Sequence, residues 1–289
     1  MSVHDQGGSA DRDHNLSIAG ERGPTTIKSV TQMAERGEPF ACLTAYDFTT
    51  ARWLERAGVH LLLTGDSAAN VILGLDKTID CPLGFLITIS AAVKRGAPNT
   101  LLMGDMPFMS YHASPDAAIE NAGRFLTEGS CDIVKLEADE SFAPLVQRMT
   151  RAGIPVCAHV GTRPQTWALT SGPKAAGRTN DEADQIVADA VALERAGAVM
   201  LLIEAVPPET TRRVLDATSL PLIGIGAGTE CHGQILVVHD LVGLGDRAPR
   251  FAEPVADLGP KLRDAASEWV KRVAAREIGG QQYRMRTEG

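Results

Sequence analysis

The segment LLLTGDS (61–67) is an apolar run that is followed by a carboxylate, Asp66. The same pattern recurs four more times, with a polar residue after each apolar run: TLLMGD (100–105), IVKLE (133–137), PVCAH (155–159) and VMLLIE (199–204). Apolar runs of this length, flanked by segments with helical spacing, are typical of buried strands in a parallel sheet. In a barrel of such strands, polar residues at the carboxyl ends face the active site. The pattern therefore predicts an enzyme built on a (β/α) barrel.

Strand-like and helix-like segments alternate from Pro24 onward. We predict strands over 41–47, 60–67, 100–106, 132–138, 155–161, 199–206 and 221–228, whereas the run 235–240 fits a strand or a helix equally. Helices are predicted over 48–58, 87–95, 115–129, 141–152 and 181–197, with Ser114 capping the third and Thr179 or Asn180 capping the last. A doubly wound open sheet is the competing architecture. About eight units with polar residues at nearly every strand end favour a closed (β/α)8 TIM barrel.

Length and composition limit the classes of function. The chain has 289 residues, 44% of them hydrophobic, which suits one barrel domain over 24–275, a disordered leader over 1–23 and a flexible tail over 276–289. Its net charge of −8 argues against nucleic acid and anionic membranes as partners. The five cysteines are scattered without a CxxC pair, and no signal peptide or membrane-spanning run occurs, so we expect a cytoplasmic protein.

Three carboxylates at successive strand ends predict a metal site. Asp66 and Asp105 are the candidate direct ligands, with Glu137 as a third that ligates directly or through water. Several acids at one barrel mouth would repel each other unless a cation lay among them, and carboxylate oxygens select Mg²⁺ or a similar hard cation. Either aspartate alone could equally be an N-cap of the following helix.

Three further polar residues are candidates for the chemistry at the same end of the barrel. Lys135 is two residues before Glu137 and therefore faces the barrel interior, to meet a substrate carboxylate or to pair with Glu137 or Asp105. Glu204 follows VMLLI, and an apolar surround raises the pKa of a carboxyl toward that of a general base. His159 is placed to orient a substrate or move a proton. The residues together predict proton abstraction next to the carbonyl of a metal-chelated 2-oxo acid.

Several other motifs carry little signal. The glycines of GIGAG (224–228) lack GxGxxG spacing and fall late in the chain, so dinucleotide binding is not expected. Asp240 and the pair Cys231-His232 point to no particular chemistry.

Eleven segments resemble the ketopantoate (3-methyl-2-oxobutanoate) hydroxymethyltransferase family, in that family's order between residue 27 and about residue 255. They are LTAYD (43–47), TGDS (64–67), AAVKRGAPN (91–99), GDMPFMSY (104–111), ENA (120–122), VKLE (134–137), IPVCAHVG (154–161), LERAGA (193–198), LLIEAVP (201–207), PLIGIGAG (221–228) and GQILVVHD (233–240). Together these segments are specific for the family, although no single one is.

The resemblance implies a barrel of the phosphoenolpyruvate mutase/isocitrate lyase type, assembled as a homo-oligomer. It implies a divalent metal, usually Mg²⁺, at Asp66 and Asp105 with Glu137 in the metal shell. It further implies that Asp66, Ser67, Asp105 and Lys135 contact the 2-oxo acid and that Glu204 accepts the proton. The implied reaction deprotonates 3-methyl-2-oxobutanoate at C3 and adds a hydroxymethyl group from 5,10-methylenetetrahydrofolate, giving 2-dehydropantoate for pantothenate biosynthesis.

The loops around this conserved set depart from the family. After Ser67 the family usually continues Leu-Gly-Met, where this chain has Ala68-Ala69-Asn70. The family motif Gly-Leu-Thr-Pro-Gln corresponds to GTRPQ (161–165) in this chain, with Arg163 in place of Thr. The departures raise the alternative that the same aldol-type transfer acts on a larger or more polar 2-oxo acid. A metal-dependent C–C lyase is a further alternative, but the catalytic Lys-Lys-Cys-Gly-His loop of isocitrate lyases is absent from the sequence. No phosphonate mutase motif beyond the barrel is found, and a non-catalytic scaffold has no physical reason to keep the acids together.

Overall fold

Eight parallel strands form a closed barrel in chain order, which confirms the predicted closure and excludes the open doubly wound sheet. The computed structural model describes residues 23–170, 172, 174–245, 248–280 and 283–285. The predicted leader therefore lies outside the described residues except for Gly23. The strands are β1 (Phe40–Thr44), β2 (Leu61–Thr64), β3 (Leu101–Asp105), β4 (Ile133–Glu137), β5 (Val156–Gly161), β6 (Met200–Glu204), β7 (Leu222–Ile225) and β8 (Gly233–Leu236).

Helices precede, connect and follow the strands. They are α1 (Ile27–Glu35), α2 (Phe48–Arg56), α3 (Ala68–Val71), α4 (Leu83–Gly96), α5 (Pro115–Thr127), α6 (Ala143–Arg151), α7 (Trp167–Thr170), α8 (Asn180–Arg195), α9 (Pro208–Ala217), α10 (Val238–Leu241) and α11 (Leu258–Ala275). Ser114 caps α5 as predicted, and Thr179, not Asn180, caps α8 through the Glu182 amide. The run 235–240, which fitted a strand or a helix equally, contains the end of one and most of the other, since β8 ends at Leu236 and α10 begins at Val238. None of the described helices is long and apolar enough to cross a membrane.

The barrel interior has an apolar lower half and a polar upper half. The lower half is a cluster of Val30 from α1 with Phe40, Cys42, Leu61, Leu63, Leu101, Met103, Ile133, Cys157, Met200, Leu202, Ile223 and Ile235. Every second residue of a strand faces the same side. The next inward positions on β3 and β4 after Met103 and Ile133 are therefore Asp105 and Lys135. One further step along β4 places Glu137 in the upper half, and the same alternation on β5 and β6 places His159 and Glu204 there.

One side of the barrel has no helix against it in the described chain. On most strands the outward side chains are buried under helices, as Leu62 and Leu102 are, but Ala41 of β1 and its neighbour Gln234 of β8 are exposed. The last helix, α11, has no buried residue. Its exposed Leu258, Leu262, Trp269 and Val273 lie within a roughly 60° arc of the helix surface. An uncovered barrel face and an amphipathic helix without a partner thus occur in the same chain.

Candidate active site

All seven residues predicted for the site line one cavity of about 310 Å³ at the carboxyl end of the barrel. They are Asp66, Ser67, Asp105, Lys135, Glu137, His159 and Glu204. Strand register brings them together, because Asp105 pairs with Lys135 across β3–β4, and Glu137 pairs with His159 across β4–β5. Leu63, Leu202 and Ile235 form the apolar floor. The seven residues therefore lie together in one cavity, while their individual roles stay predictions.

Asp66, Asp105 and Lys135 form a buried, directly bonded group. The Asp66 amide donates to Oδ2 of Asp105 at 2.9 Å, and Nζ of Lys135 lies 2.7 Å from Oδ1 of the same carboxylate. Burial alone would lower the pKa of Lys135, but the carboxylates of Asp105 and Asp66 raise it above its ordinary value. Lys135 is therefore a charged ammonium inside the barrel. It pairs with Asp105, which is one of the two ion-pair partners that the sequence analysis offered. Neither aspartate side chain caps a helix, which removes the capping alternative.

Gln165 links the carboxylates of Asp66 and Glu137, and the sequence analysis did not predict it as a site residue. Its side-chain amide donates to Oδ2 of Asp66 at 3.1 Å, and its backbone amide donates to Oε2 of Glu137 at 3.0 Å. The hydroxyl of Tyr111 donates to the side-chain oxygen Oε1 of Gln165 at 2.8 Å, which fixes the orientation of the Gln165 side-chain amide. A signal was present, because Pro164-Gln165 is the part of the loop 161–165 that keeps the family pattern.

His159 lies between two carboxylates on the opposite wall. Its Nε2 is 3.4 Å from Oε2 of Glu204, and its Nδ1 is 4.0 Å from Oε1 of Glu137. Burial, reinforced by the charge of Lys135, lowers the pKa of His159 well below its ordinary value, so the imidazole is neutral. This neutral ring can donate one hydrogen bond and accept another without adding charge.

Glu204 has the properties expected of a base. Burial raises its pKa to about 7, with Lys135 opposing the rise and the charges of Asp66 and Asp105 adding to it. Its side chain remains 18% exposed and lines the cavity. A carboxylate with a pKa near the working pH, next to a cavity for a small acid, can take a proton from a bound molecule.

The cavity carries an excess of negative charge. Its lining holds one ammonium, that of Lys135, and five carboxylates, those of Asp66, Asp105, Glu137, Glu204 and Asp240. Burial raises the pKa of Asp105 to about 7 and that of Glu137 well above its ordinary value, with Lys135 opposing and the neighbouring acids adding. A divalent cation would relieve this repulsion, and all the donors are hard oxygens, so the residues fit Mg²⁺. Within the described residues no set of three or more His, Cys, Asp or Glu converges as a preformed metal cluster.

Two positions that depart from the family do not line the cavity. Ala68 is fully buried in the outer core, and Nη1 of Arg163 donates to Oδ2 of Asp139 at 2.6 Å. Asn70 does line the cavity, and its side-chain amide donates to the Leu75 carbonyl at 2.8 Å. Of these three positions, only Asn70 lines the cavity.

Loops contribute further lining residues, of which only Ser67 was predicted to contact the substrate. Ser67 is held by a 2.8 Å hydrogen bond between its Oγ and the Tyr46 hydroxyl. Asp240, to which the sequence assigned no chemistry, lines the same cavity, as does Phe251 from the segment after α10. No periodicity predicts these contacts, because the residues come from loops whose course depends on the closed barrel.

Comparison with known proteins agrees with this geometry. The profile of the ketopantoate hydroxymethyltransferase family matches residues 24–280. The chain is similar to the 3-methyl-2-oxobutanoate hydroxymethyltransferase of Bacillus subtilis (strain 168), with 40% identity over 87% of this chain and 91% of the relative. It is also similar to the enzyme of that name from Mycolicibacterium paratuberculosis (strain ATCC BAA-968 / K-10), with 41% identity over 95% of this chain and 96% of the relative.

Solved structures share the fold at low identity. A 2,3-dimethylmalate lyase of the PEP mutase/isocitrate lyase superfamily aligns with a TM-score of 0.58 and 17% identity, over 89% of each chain. A phosphonopyruvate hydrolase, solved with oxalate and Mg²⁺, aligns with a TM-score of 0.58 and 14% identity, over 87% of this chain and 88% of its own. These matches confirm the predicted barrel fold.

Proposed function

The chain belongs to the ketopantoate hydroxymethyltransferase family, and we propose that it transfers a hydroxymethyl group to 3-methyl-2-oxobutanoate, giving 2-dehydropantoate for pantothenate biosynthesis. One observation carries the chemistry. A carboxyl group with a pKa of about 7, that of Glu204, faces the cavity that holds Lys135 and the two aspartates. Such a site suits deprotonation next to a carbonyl and stabilisation of the resulting negative charge.

In the proposed reaction Glu204 accepts the proton from C3 of the 2-oxo acid. The carbon of the methylene bridge of 5,10-methylenetetrahydrofolate forms a new bond to C3, and water supplies the hydroxyl group. The C3 proton and the second hydrogen of water end on the two folate nitrogens that the bridge had joined. The sum is tetrahydrofolate and 2-dehydropantoate, with one water consumed.

Each of the other side chains has a defined task in this proposal. Lys135 and the Ser67 hydroxyl bind the substrate carboxylate, since one carries a buried charge and the other is fixed by Tyr46. Neutral His159 keeps the Glu204 carboxylate turned toward the cavity through the 3.4 Å contact. Asp66 and Asp105 would hold Mg²⁺, with Glu137 in the surrounding shell. The bound metal supplies Lewis-acid polarisation of the 2-oxo group.

The test is exchange of the C3 hydrogen of 3-methyl-2-oxobutanoate, followed by NMR in D₂O with Mg²⁺ and without folate. We expect exchange that requires Mg²⁺ and disappears in Glu204→Gln, while Mg²⁺ binding persists. The matched control is Glu120→Gln, an exposed glutamate on α5. Exchange that continues in Glu204→Gln would remove Glu204 from the role of base. Exchange only with bulkier or hydroxylated 2-oxo acids would instead identify the altered-substrate alternative.

We also propose that the chain is a homo-oligomer in which α11 of one copy covers the bare face of β1 and β8 in another. The apolar arc of α11 and the exposed outer face of these strands support this arrangement. Light scattering after gel filtration should show a smaller particle for Trp269→Asp. Lys271→Asp, on the opposite side of the helix, should leave the size unchanged. A chain that is monomeric before substitution would exclude the proposal.

The reaction is proposed to take place in the cytoplasm. All five cysteines are free and buried, which suits a reducing compartment.

A further inference from the structure

A second cavity of about 340 Å³ opens beside the active-site cavity, and we propose that it binds the pterin end of the folate donor. The proposal rests on the proposed function, which requires a donor but does not say where the donor binds. The cavity is formed by the segment before and within the 3₁₀ turn Thr78–Asp80 and by the segment around α7.

The two cavities share a wall. Asn70, Thr78, Pro164 and Trp167 line both of them. Transfer of a one-carbon unit requires the methylene carbon to reach C3 of the acid, so the donor must occupy space next to the acid. The inner cavity of about 310 Å³ suits a small 2-oxo acid and cannot also enclose a folate, which is several times larger. The adjoining cavity provides the missing volume in the required position.

The lining of the second cavity matches the chemistry of a pterin. Ile79, Pro164 and the indole of Trp167 supply apolar and aromatic surface, on which a flat heteroaromatic ring packs or stacks. The carboxylate of Asp76 supplies two acceptor oxygens, which match the paired N–H donors at N3 and the 2-amino group of the pterin. A small acid would use neither feature fully.

Hydrogen bonds also connect the wall of the second cavity to the carboxylates of the first. Gln165 lines it, is only 4% exposed, and is bonded on its other side to Asp66 and Glu137. The Asn70 side chain, through its bond to the Leu75 carbonyl, fixes the loop that forms the opposite rim. A donor bound here would therefore lie against a wall whose position is set by the proposed metal and acid site.

The experiment fills the second cavity and leaves the first intact. Ala168 lines only the second cavity, so Ala168→Phe occupies its volume. The control is Leu169→Phe, the next residue of α7, which is 87% exposed and lines neither cavity. Asp76→Asn removes the carboxylate, and Asp80→Asn, which also lines neither cavity, is its control.

Two measurements are made on each full-length variant with Mg²⁺: the dissociation constant of tetrahydrofolate by equilibrium dialysis, and C3 exchange of 3-methyl-2-oxobutanoate without folate. We expect Ala168→Phe and Asp76→Asn to weaken tetrahydrofolate binding at least tenfold while C3 exchange persists, and both controls to bind as the unaltered chain does.

Unweakened tetrahydrofolate binding in Ala168→Phe and Asp76→Asn would overturn the assignment. Loss of exchange in parallel with binding would also overturn it, because the cavity would then be part of the acid site. If the unaltered chain exchanges no C3 hydrogen, the proposed function fails, and the dialysis measurements still decide whether this cavity binds the folate.

Discussion

Glu204→Gln should make the metal-free protein more stable at pH 8 while it removes C3 exchange. Burial raises the pKa of Glu204 from its ordinary 4.5 to about 7. The folded state therefore binds this proton more tightly than the unfolded chain does. The resulting stabilisation is complete below about pH 4.5 and is lost as the pH rises through about 7.

The size of the effect follows from the shift in pKa. At 1.36 kcal/mol for each pH unit, ionised Glu204 costs the folded state roughly 3 kcal/mol at pH 8, as an upper bound. Glutamine resembles the neutral form of glutamate and avoids this cost at every pH. The variant should therefore exceed the unaltered chain by about 1 kcal/mol or less at pH 5 and by up to roughly 3 kcal/mol at pH 8.

The assay is urea unfolding in EDTA at pH 5, 6, 7 and 8, analysed as the difference between the two proteins. The difference cancels the contributions of titratable groups that do not contact Glu204. The exposed Glu120→Gln should give no pH-dependent difference. A Glu204→Gln variant that is equally stable or less stable at pH 8 would refute the reasoning. Added Mg²⁺ should reduce the gain, because the cation offsets the charges of Asp66 and Asp105 that raise the pKa of Glu204.

Three further predictions concern the same cavity. The rate of C3 exchange should rise about tenfold per pH unit below the pKa of Glu204, since this group must be ionised to accept a proton, and should level off at or below pH 7, because Mg²⁺ offsets the charges that raise this pKa; a rate independent of pH between 4 and 7 would contradict this. Lys135→Met should lower the free energy of unfolding at pH 8 by roughly 3–5 kcal/mol, because it leaves Asp105 buried without its ion-pair partner; urea unfolding measures it, and an unchanged midpoint would contradict it. Gln165→Leu should weaken Mg²⁺ binding about 10–100-fold in calorimetry, since it removes the amide that orients Asp66; an affinity within twofold of the unaltered chain would show that this bond does not matter.

The barrel and the composition of its site were predictable because both follow from strand periodicity. An apolar run determines which strand is buried, and the two-residue repeat then fixes that Asp105, Lys135 and Glu137 face inward together. Strand ends were predicted too long. The first strand was extended to Asp47, for example, but it ends at Thr44, and Asp47 caps α2 through the Thr50 amide. A capping aspartate and a site aspartate look alike in sequence, since each follows an apolar run.

The loop contributions could not be predicted from periodicity. Gln165 reaches Asp66 across 99 positions of the chain, and Tyr111 reaches Gln165 across 54. Helices α1, α9 and α11 were not predicted at all. The first nonetheless belongs to the lower core through Val30, which no local pattern reveals. Whether Ala68 and Arg163 face the cavity likewise depends on the course of the loops, which places neither of them in the cavity lining.

The division of the barrel interior into an apolar lower half and a charged upper half has a consequence for how such a protein can change. The lower cluster packs apolar side chains of all eight strands together, and of its buried members only Leu63, Leu202 and Ile235 also line the cavity. Substitutions among the acids and loops above it can therefore redirect the chemistry at little risk to the architecture. A laboratory search for new acceptor acids should draw its variation from the rim and leave the layer beneath untouched.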